Sequence, residues 1–401
     1  MRTTGTADLC LVLVRSMKTV FAKLAVLVVA VASLLFVSTP ARALPESVRV
    51  RLFEAHPDLA AIDVVSGFVC VEPPSLPAVP LSVAAAQSGL RITGGGRAQL
   101  VIPQLVIKSK EKSIALRVNG KIRHYAGTIV IRAAIDPTTH KSVLRAINSV
   151  STRDYVESSV GSELQPGWPA EVARAQAVLT QTILARTRPG DLLGDSTQRN
   201  VYLGADYVRP GTQEQVRSVW NQILTYEGRP AVPFWCSACA GRTSNGTDVF
   251  GSAADGMPYL RSVKCDFCKD SPFWHETVTK IPQSKFATVF GAQLPEFHGL
   301  DEAQRPLAVS YLLNGRKQMR SGYQFWTLLG QKFGWDKAPG LRFNLKLQGN
   351  DMIVTSTGGG HGVGLCGWGA AQQAREGKTY KQILQYYFPG TEVHTTQSGQ
   401  R

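Results

Sequence analysis

Apolar and polar residues alternate along the chain from about residue 44. VRVRLF (Val48–Phe53) alternates, and the two-residue period continues near Gln99–Ile107, in ALRVNGKIRHY (Ala115–Tyr125) and in GTIVIRAAI (Gly127–Ile135). A period of two sends successive side chains to opposite faces, which predicts half-buried strands. Asn119-Gly120 divides the third segment as a hairpin, because a two-residue turn takes residues that tolerate positive φ. Residues 44–150 therefore read as a β-rich module. Beyond residue 150 the period lengthens. TRDYVESSVG predicts a short helix and QPGWP (Gln165–Pro169) a turn. AEVARAQAVLTQTILAR predicts a longer helix, with Pro169 at its first position and Val172, Ala175, Leu179 and Ile183 as its apolar face. Residues 200–280 return to short strands and loops, and 281–345 are mixed. DMIVTS (Asp351–Ser356) predicts a strand running into the glycine-rich GGGHGVGLCGWGA (Gly358–Ala370). TYKQILQYYFPG predicts a closing helix, with Tyr380, Ile383, Leu384 and Tyr387 on one side and Pro389-Gly390 as its stop. The fold class is α+β: a β-rich N-terminal module, a helical insert, and a C-terminal strand, glycine loop and helix that complete one groove.

The first 43 residues read differently. Lys18 and Lys23 precede an apolar run, Leu24–Val37, and Ala41-Arg42-Ala43 fits a small-residue cleavage site. This predicts a signal peptide over 1–43, with Met17 as the start. The run is short for a spanning helix, so membrane attachment would come only through this segment left uncleaved. The destination is extracytoplasmic: periplasm, cell wall or medium. The 44 Lys+Arg against 29 Asp+Glu give +15, and removing five basic residues and one acid with 1–43 leaves +11. An exported basic protein meets anionic wall polymers. Nucleic acid is excluded as a partner: the basic residues are scattered and no recognition helix or RNA-binding signature is present.

Chemistry concentrates in three places. Glu163, in SVGSELQPGWP, lies between the two predicted helices, beside Leu164. A carboxyl group held against apolar side chains keeps its proton to higher pH, as a general acid requires. Trp168 nearby suits stacking on a sugar ring or a place in the core. CSAC (Cys236–Cys239) and CDFC (Cys265–Cys268) form CxxC-x25-CxxC. Such spacing predicts a tetrathiolate zinc site through Cys236, Cys239, Cys265 and Cys268, or, in an oxidising compartment, two disulfides. The glycine stretch lacks GK[ST], so it is not a nucleotide loop. Cys366 with His361 as base would make a nucleophilic pair, but no third orienting residue is identifiable. The other reading is backbone that approaches a groove closely, where side chains would block it.

Taken together, the pieces resemble the SpoIID/LytB family: the stage II sporulation protein D and amidase-enhancer proteins. YVESSVGSELQPGWPAEVARAQAVLTQT (Tyr155–Thr182), CAGRTSNGTDVFG, PYLRSV and GHGVGLCGWGAAQQAREGKTYKQILQYYFPGT (Gly360–Thr391) stand in the family's order over nearly all of 44–395. The resemblance implies a SpoIID/LytB-like catalytic region over 151–395 and a peptidoglycan lytic transglycosylase acting on glycan strands denuded of stem peptides. Glu163 falls at the family's catalytic glutamate, and no cofactor is required for that chemistry. Trp168, Gln181, Arg242, Thr243, His361, Gly362, Gly364 and Trp368 fall at positions implied to line the substrate groove. The chain departs from the family at Gln181, where the family has arginine, and at Cys366-Gly367, where it has Ser-Gln. DSTQRNVY (Asp195–Tyr202) lacks the Cys/His cluster with which some members bind zinc. A non-catalytic wall-binding amidase enhancer, with a cell-wall amidase as partner, is the alternative implied by the same resemblance. A Cys366/His361 hydrolase of wall peptides is a third.

Overall fold

In the computed structural model, which describes residues 43–396 apart from 77–79, 95–96 and 197–199, the alternating segments become strands. The signal peptide expected at 1–43 lies, but for residue 43, outside the described residues. Eleven strands build the N-terminal module: β1 (Ser47–Leu52), β2 (Ala61–Ser66), β3 (Phe68–Glu72), β4 (Leu81–Ala86), β5 (Gly89–Gly94), β6 (Arg97–Ile102), β7 (Gln104–Ser109), β8 (Ile114–Val118), β9 (Lys121–Tyr125), β10 (Thr128–Ile135) and β11 (Ser142–Ser151). With β12 (Leu192–Gly194) they form two six-stranded sheets, ordered β12-β1-β11-β10-β7-β3 and β6-β5-β4-β2-β8-β9. β1 shows the expected alternation, exposing Arg49 and Arg51 and burying Val48, Val50 and Leu52. Val50, Leu105, Ile129 and Ile131 of one sheet and Ile62, Val64, Leu90 and Leu116 of the other are buried in one core. Each such side chain contributes about 1.5–3 kcal/mol on leaving water. The Asn119-Gly120 hairpin forms between β8 and β9, with φ of 51° and 76°, as a type I′ turn requires.

β11 passes into helix α1 (Thr152–Glu163) without a loop. Ser151 ends the strand and caps the helix, its hydroxyl accepting from the Asp154 N–H. This satisfies one of the donors left free in a first helical turn. After the Gln165–Pro169 turn comes α2 (Ala170–Arg186). Pro169 is its N-cap rather than its first residue, with extended backbone (φ −60°, ψ 153°). The expected apolar face is too narrow. Val172, Ala175 and Leu179 are buried and Ile183 half-buried, but Gln176, Thr180, Gln181 and Thr182 are buried as well. The helix is surrounded: α1, the helix Pro210–Ser218, the strand Gln222–Tyr226 and the two C-terminal helices all pack on it.

Residues 277–357 contain two three-stranded sheets. Thr277–Pro282 and Arg342–Gln348 flank Asp351–Thr357, and Glu296–Leu300 and Arg316–Ser321 flank Pro306–Leu313. Helices Gln283–Phe290 and Gly322–Phe333 pack on them through Phe286, Phe290, Tyr311, Phe325 and Phe343. The closing helix, Tyr380–Tyr387, starts in a Thr379/Gln382 capping box and buries Ile383, Leu384 and Tyr387. Among the described residues, no helix is long and apolar enough to cross a membrane.

Candidate functional site

Glu163 is the last residue of α1, where the helix runs alongside the segment 200–207. Three contacts fasten that segment. The Ser158 hydroxyl donates to the Gly204 carbonyl (2.7 Å), the Ser162 hydroxyl accepts from Leu203 N–H (3.3 Å), and Glu163 Oε1 accepts from Val201 N–H (3.2 Å). Gly161 permits the approach: a Cβ there would lie 1.9 Å from the Tyr207 carbonyl oxygen. The Trp235 side chain is the second hydrogen-bond partner of the carboxylate. Glu163 is half-buried, and the protein around it raises its pKa from 4.5 to about 6, against the lowering effect of Val201 and Trp235. Desolvation of the charged form is the cause. No second carboxylate bears on it among the described residues.

Trp235 also faces a cavity of about 370 Å³, lined by Tyr155, Asp191, Asn200, Phe234, Phe250 and His361 among others; Glu163 lies behind Trp235 and is not itself in the lining. Asn200 donates to the Tyr155 hydroxyl (2.8 Å), and Tyr155 stacks on Tyr202 (5.2 Å between centroids). The far wall comes from the glycine stretch. Strand Leu365–Cys366 pairs in parallel with Trp235–Cys236, which fixes Trp235 between the glycine loop and Glu163. His361 lies edge-on to Phe234 (5.9 Å) and Phe250 (5.3 Å). Its Nδ1 accepts from Val363 N–H (3.1 Å), which leaves the neutral ring's proton on Nε2, and the Trp235 backbone is its other partner. Burial first, and Arg305 second, lower its pKa to about 4. His361 is thus a neutral, doubly held brace in the cavity wall and is poorly suited to act as a base for Cys366.

Of the residues expected in the groove, His361 alone lines this cavity. Gln181 is fully buried: its side-chain N–H donates to the carbonyls of Ala177 (3.2 Å) and Val219 (3.0 Å), and its oxygen accepts from Asn221 N–H (2.8 Å). It closes the 219–221 turn instead of meeting a ligand. Thr243 is also fully buried, its hydroxyl accepting from Val263 N–H. Arg242 is engaged with Ser262 and Glu302. Trp168 and Trp368 form their own edge-to-face pair (5.6 Å), Trp168 lying over Gly367. The glycines are needed for contacts within the chain. At Gly362 (φ 77°) a Cβ would fall 2.3 Å from the Arg305 guanidinium carbon, and at Gly364 (φ 73°) 2.2 Å from the Phe234 carbonyl oxygen. That guanidinium is buried and donates to the carbonyls of Arg242 (3.1 Å) and Cys239 (2.7 Å) and to the Ser244 hydroxyl (2.9 Å). Arg305 carried no signal in the sequence, and neither did Trp235, whose place depends on a strand pairing 130 residues away.

The four-cysteine set also needs correcting. Cys239, Cys265, Cys268 and Cys366 bring their sulfurs within 4.8 Å of one another, all buried. Cys236 is outside the group: it sits on the strand beside Leu365–Cys366, against Gly360. None of these five cysteines is in a disulfide.

An α+β protein with one desolvated carboxyl group beside an aromatic-walled cleft is the class that this geometry defines. Residues 140–226 match the family model described as SpoIID, Stage II sporulation protein. Stage II sporulation protein D of Bacillus amyloliquefaciens is 26% identical over 334 residues, covering 75% of this chain and 93% of that protein. The protein of the same name from Bacillus subtilis (strain 168) is 27% identical over 282 residues, 63% of this chain and 77% of that one. The amidase enhancer of Bacillus subtilis (strain 168) is 22% identical over 280 residues, 58% of this chain and 39% of that protein. The matched model and these relatives support the SpoIID/LytB family, the one that the motifs resemble.

Proposed function

We propose that the protein is an exported peptidoglycan lytic transglycosylase that cleaves glycan strands denuded of stem peptides, with Glu163 as its acid and base. The observation that carries this reading is the pKa of about 6 at a carboxyl group with no carboxylate partner, beside an aromatic cleft. Glu163-COOH protonates the glycosidic oxygen as the bond from the muramic acid anomeric carbon breaks, through an oxocarbenium-like transition state. The carboxylate then takes the proton of the same sugar's primary hydroxyl, whose oxygen closes on the anomeric carbon. The products are an anhydro-muramyl end and a free hydroxyl on the leaving sugar, and Glu163 regains its proton. No water is consumed, so the second carboxylate of a hydrolase is unnecessary. Trp235 and Val201 hold the carboxylate in place and stabilise it once its proton has left. The lactyl carboxylates of stripped strands suit the basic chain, and Arg186 is a cation in the cavity lining.

The test is a digest of amidase-stripped glycan strands by wild type and Glu163→Gln, read by mass spectrometry. Anhydro-ended fragments from wild type alone are expected. Water-added reducing ends would replace the transglycosylase by a hydrolase. The likeness to an amidase enhancer favours a second reading, a wall-binding stimulator of an amidase. Undiminished glycan binding with no fragments from either protein would establish that one.

A further inference from the structure

We propose that Cys239, Cys265, Cys268 and Cys366 form a structural tetrathiolate site for one zinc ion, and that this site, rather than the two CxxC pairs alone, joins the glycine loop to the cleft. The geometry is that of a tetrahedron. Zinc–sulfur bonds of about 2.3 Å place the sulfurs of a tetrahedral site about 3.8 Å apart. Cys239 and Cys268 Sγ are 3.7 Å apart, and all four sulfurs lie within 4.8 Å. A disulfide would pair two sulfurs at about 2.05 Å and leave two out, whereas here four sulfurs converge on one point. An iron–sulfur cubane would hold its thiolates further apart than this.

The surroundings suit thiolates. Four protons leave as zinc binds, and the complex carries two net negative charges, which buried surroundings must answer with donors. Cys366 Sγ accepts from Cys239 N–H (3.3 Å) and Gly369 N–H (3.4 Å), and Cys265 Sγ lies 3.1 Å from the Tyr387 hydroxyl. Cys366 is also the N-cap of the helix Gly367–Arg375, whose positive end faces the sulfur. The Arg305 guanidinium brings a positive charge to the Cys239 carbonyl. Gly369 has no room for a side chain: a Cβ there would lie 2.7 Å from Cys265 Sγ and 2.2 Å from the Tyr387 oxygen.

The site also explains why a cysteine follows the glycine loop. Cys366 pairs in register with Cys236, next to Trp235, while Cys239 follows three residues later. One ion would thus fix the strand carrying Trp235, the CDFC turn and the end of the glycine loop. Cys236, the residue that spacing alone would have chosen, takes no part.

Elemental analysis of the purified mature protein should find about one zinc per chain. Cys366→Ser should lower it to under about one-tenth, as should Cys239→Ser, while Cys236→Ser keeps the full amount. Loss of folding in the Cys366 variant does not spoil the test. Wild type and Cys236→Ser, each exchanged with cobalt(II), should both show the charge-transfer band intensity of four thiolates. Zinc lost in Cys236→Ser and kept in Cys366→Ser would overturn the site, as would zinc-free protein with no titratable thiols. Iron in place of zinc would overturn the metal. Glu163→Gln should retain its zinc, so failure of the glycan digest leaves this result standing.

Discussion

Two walls, the helix that ends in Glu163 and the glycine loop that lends His361 to the cavity, are made by different means. Glu163 stands at the end of a regular helix, continuous with a strand of the sandwich, and is held by a backbone N–H and an indole. The opposite wall, 358–366, has almost no regular structure. Its shape comes from glycines pressed onto a buried arginine and onto neighbouring carbonyls, and from a knot of four sulfurs. A helix supplies its own backbone hydrogen bonds and so tolerates changes on its surface. A loop shaped by contact with the rest of the chain has no such reserve. On the function proposed above, the chemistry would sit on the tolerant wall and the positioning on the intolerant one.

The comparison can be broken first at Glu163. Glu163→Gln should lower kcat/KM for denuded glycan about 10³-fold, within the range usual for loss of a general acid, with an unchanged melting profile at pH 5. A comparable loss of folding would mean that the helix wall is not tolerant. Next comes Gly362→Ala, which forces a Cβ onto Arg305 at φ 77°. It should cost about 3 kcal/mol or more, seen as a lower Tm or as loss of soluble protein. Gly161→Ala marks the limit of the helix wall. In an open helix this change stabilises by about 1 kcal/mol, but the Tyr207 carbonyl should reverse the sign, by denaturant titration.

Smaller effects sharpen the contrast. Trp235→Phe keeps an aromatic ring but removes a donor that lowers the Glu163 pKa. The alkaline limb of the kcat/KM profile, near pH 6 in wild type, should move to higher pH, with about a fivefold loss at the optimum from one hydrogen bond. An unmoved limb would show that Trp235 is only packing. The smallest effect is on stability. Glu163 binds its proton more tightly in the folded protein (about 6) than unfolded (4.5), so its contribution is fully present below pH 4.5 and is lost as pH rises through 6. Relative to wild type, Glu163→Gln should gain about 1 kcal/mol between pH 4.5 and 7.5, after discounting for partial exposure. Equal shifts at both pH values would contradict the burial argument.

The helix wall could be read from the sequence and the loop wall could not. Periodicity and the Gln165–Pro169 turn marked α1, α2 and the place of Glu163, because those signals are local. The α+β class followed from the change of period near residue 150. Gln181 was placed in the groove by the family resemblance alone, while its partners, Val219 and Asn221, lie about 40 residues on. The cysteines misled in the same way. Two CxxC pairs are a local pattern, and the exchange of Cys236 for Cys366 is decided by a parallel strand pair that no spacing encodes.

That exchange also sets an order of events. Cys366 lies 127 residues after Cys239. The sulfur knot joins residues far apart in the chain and cannot close until residue 366 has been made. A chain cut short before residue 366 would own Glu163, its helix and its turn and still lack a finished cleft. The knot would then tie completion of the cleft to the arrival of Cys366.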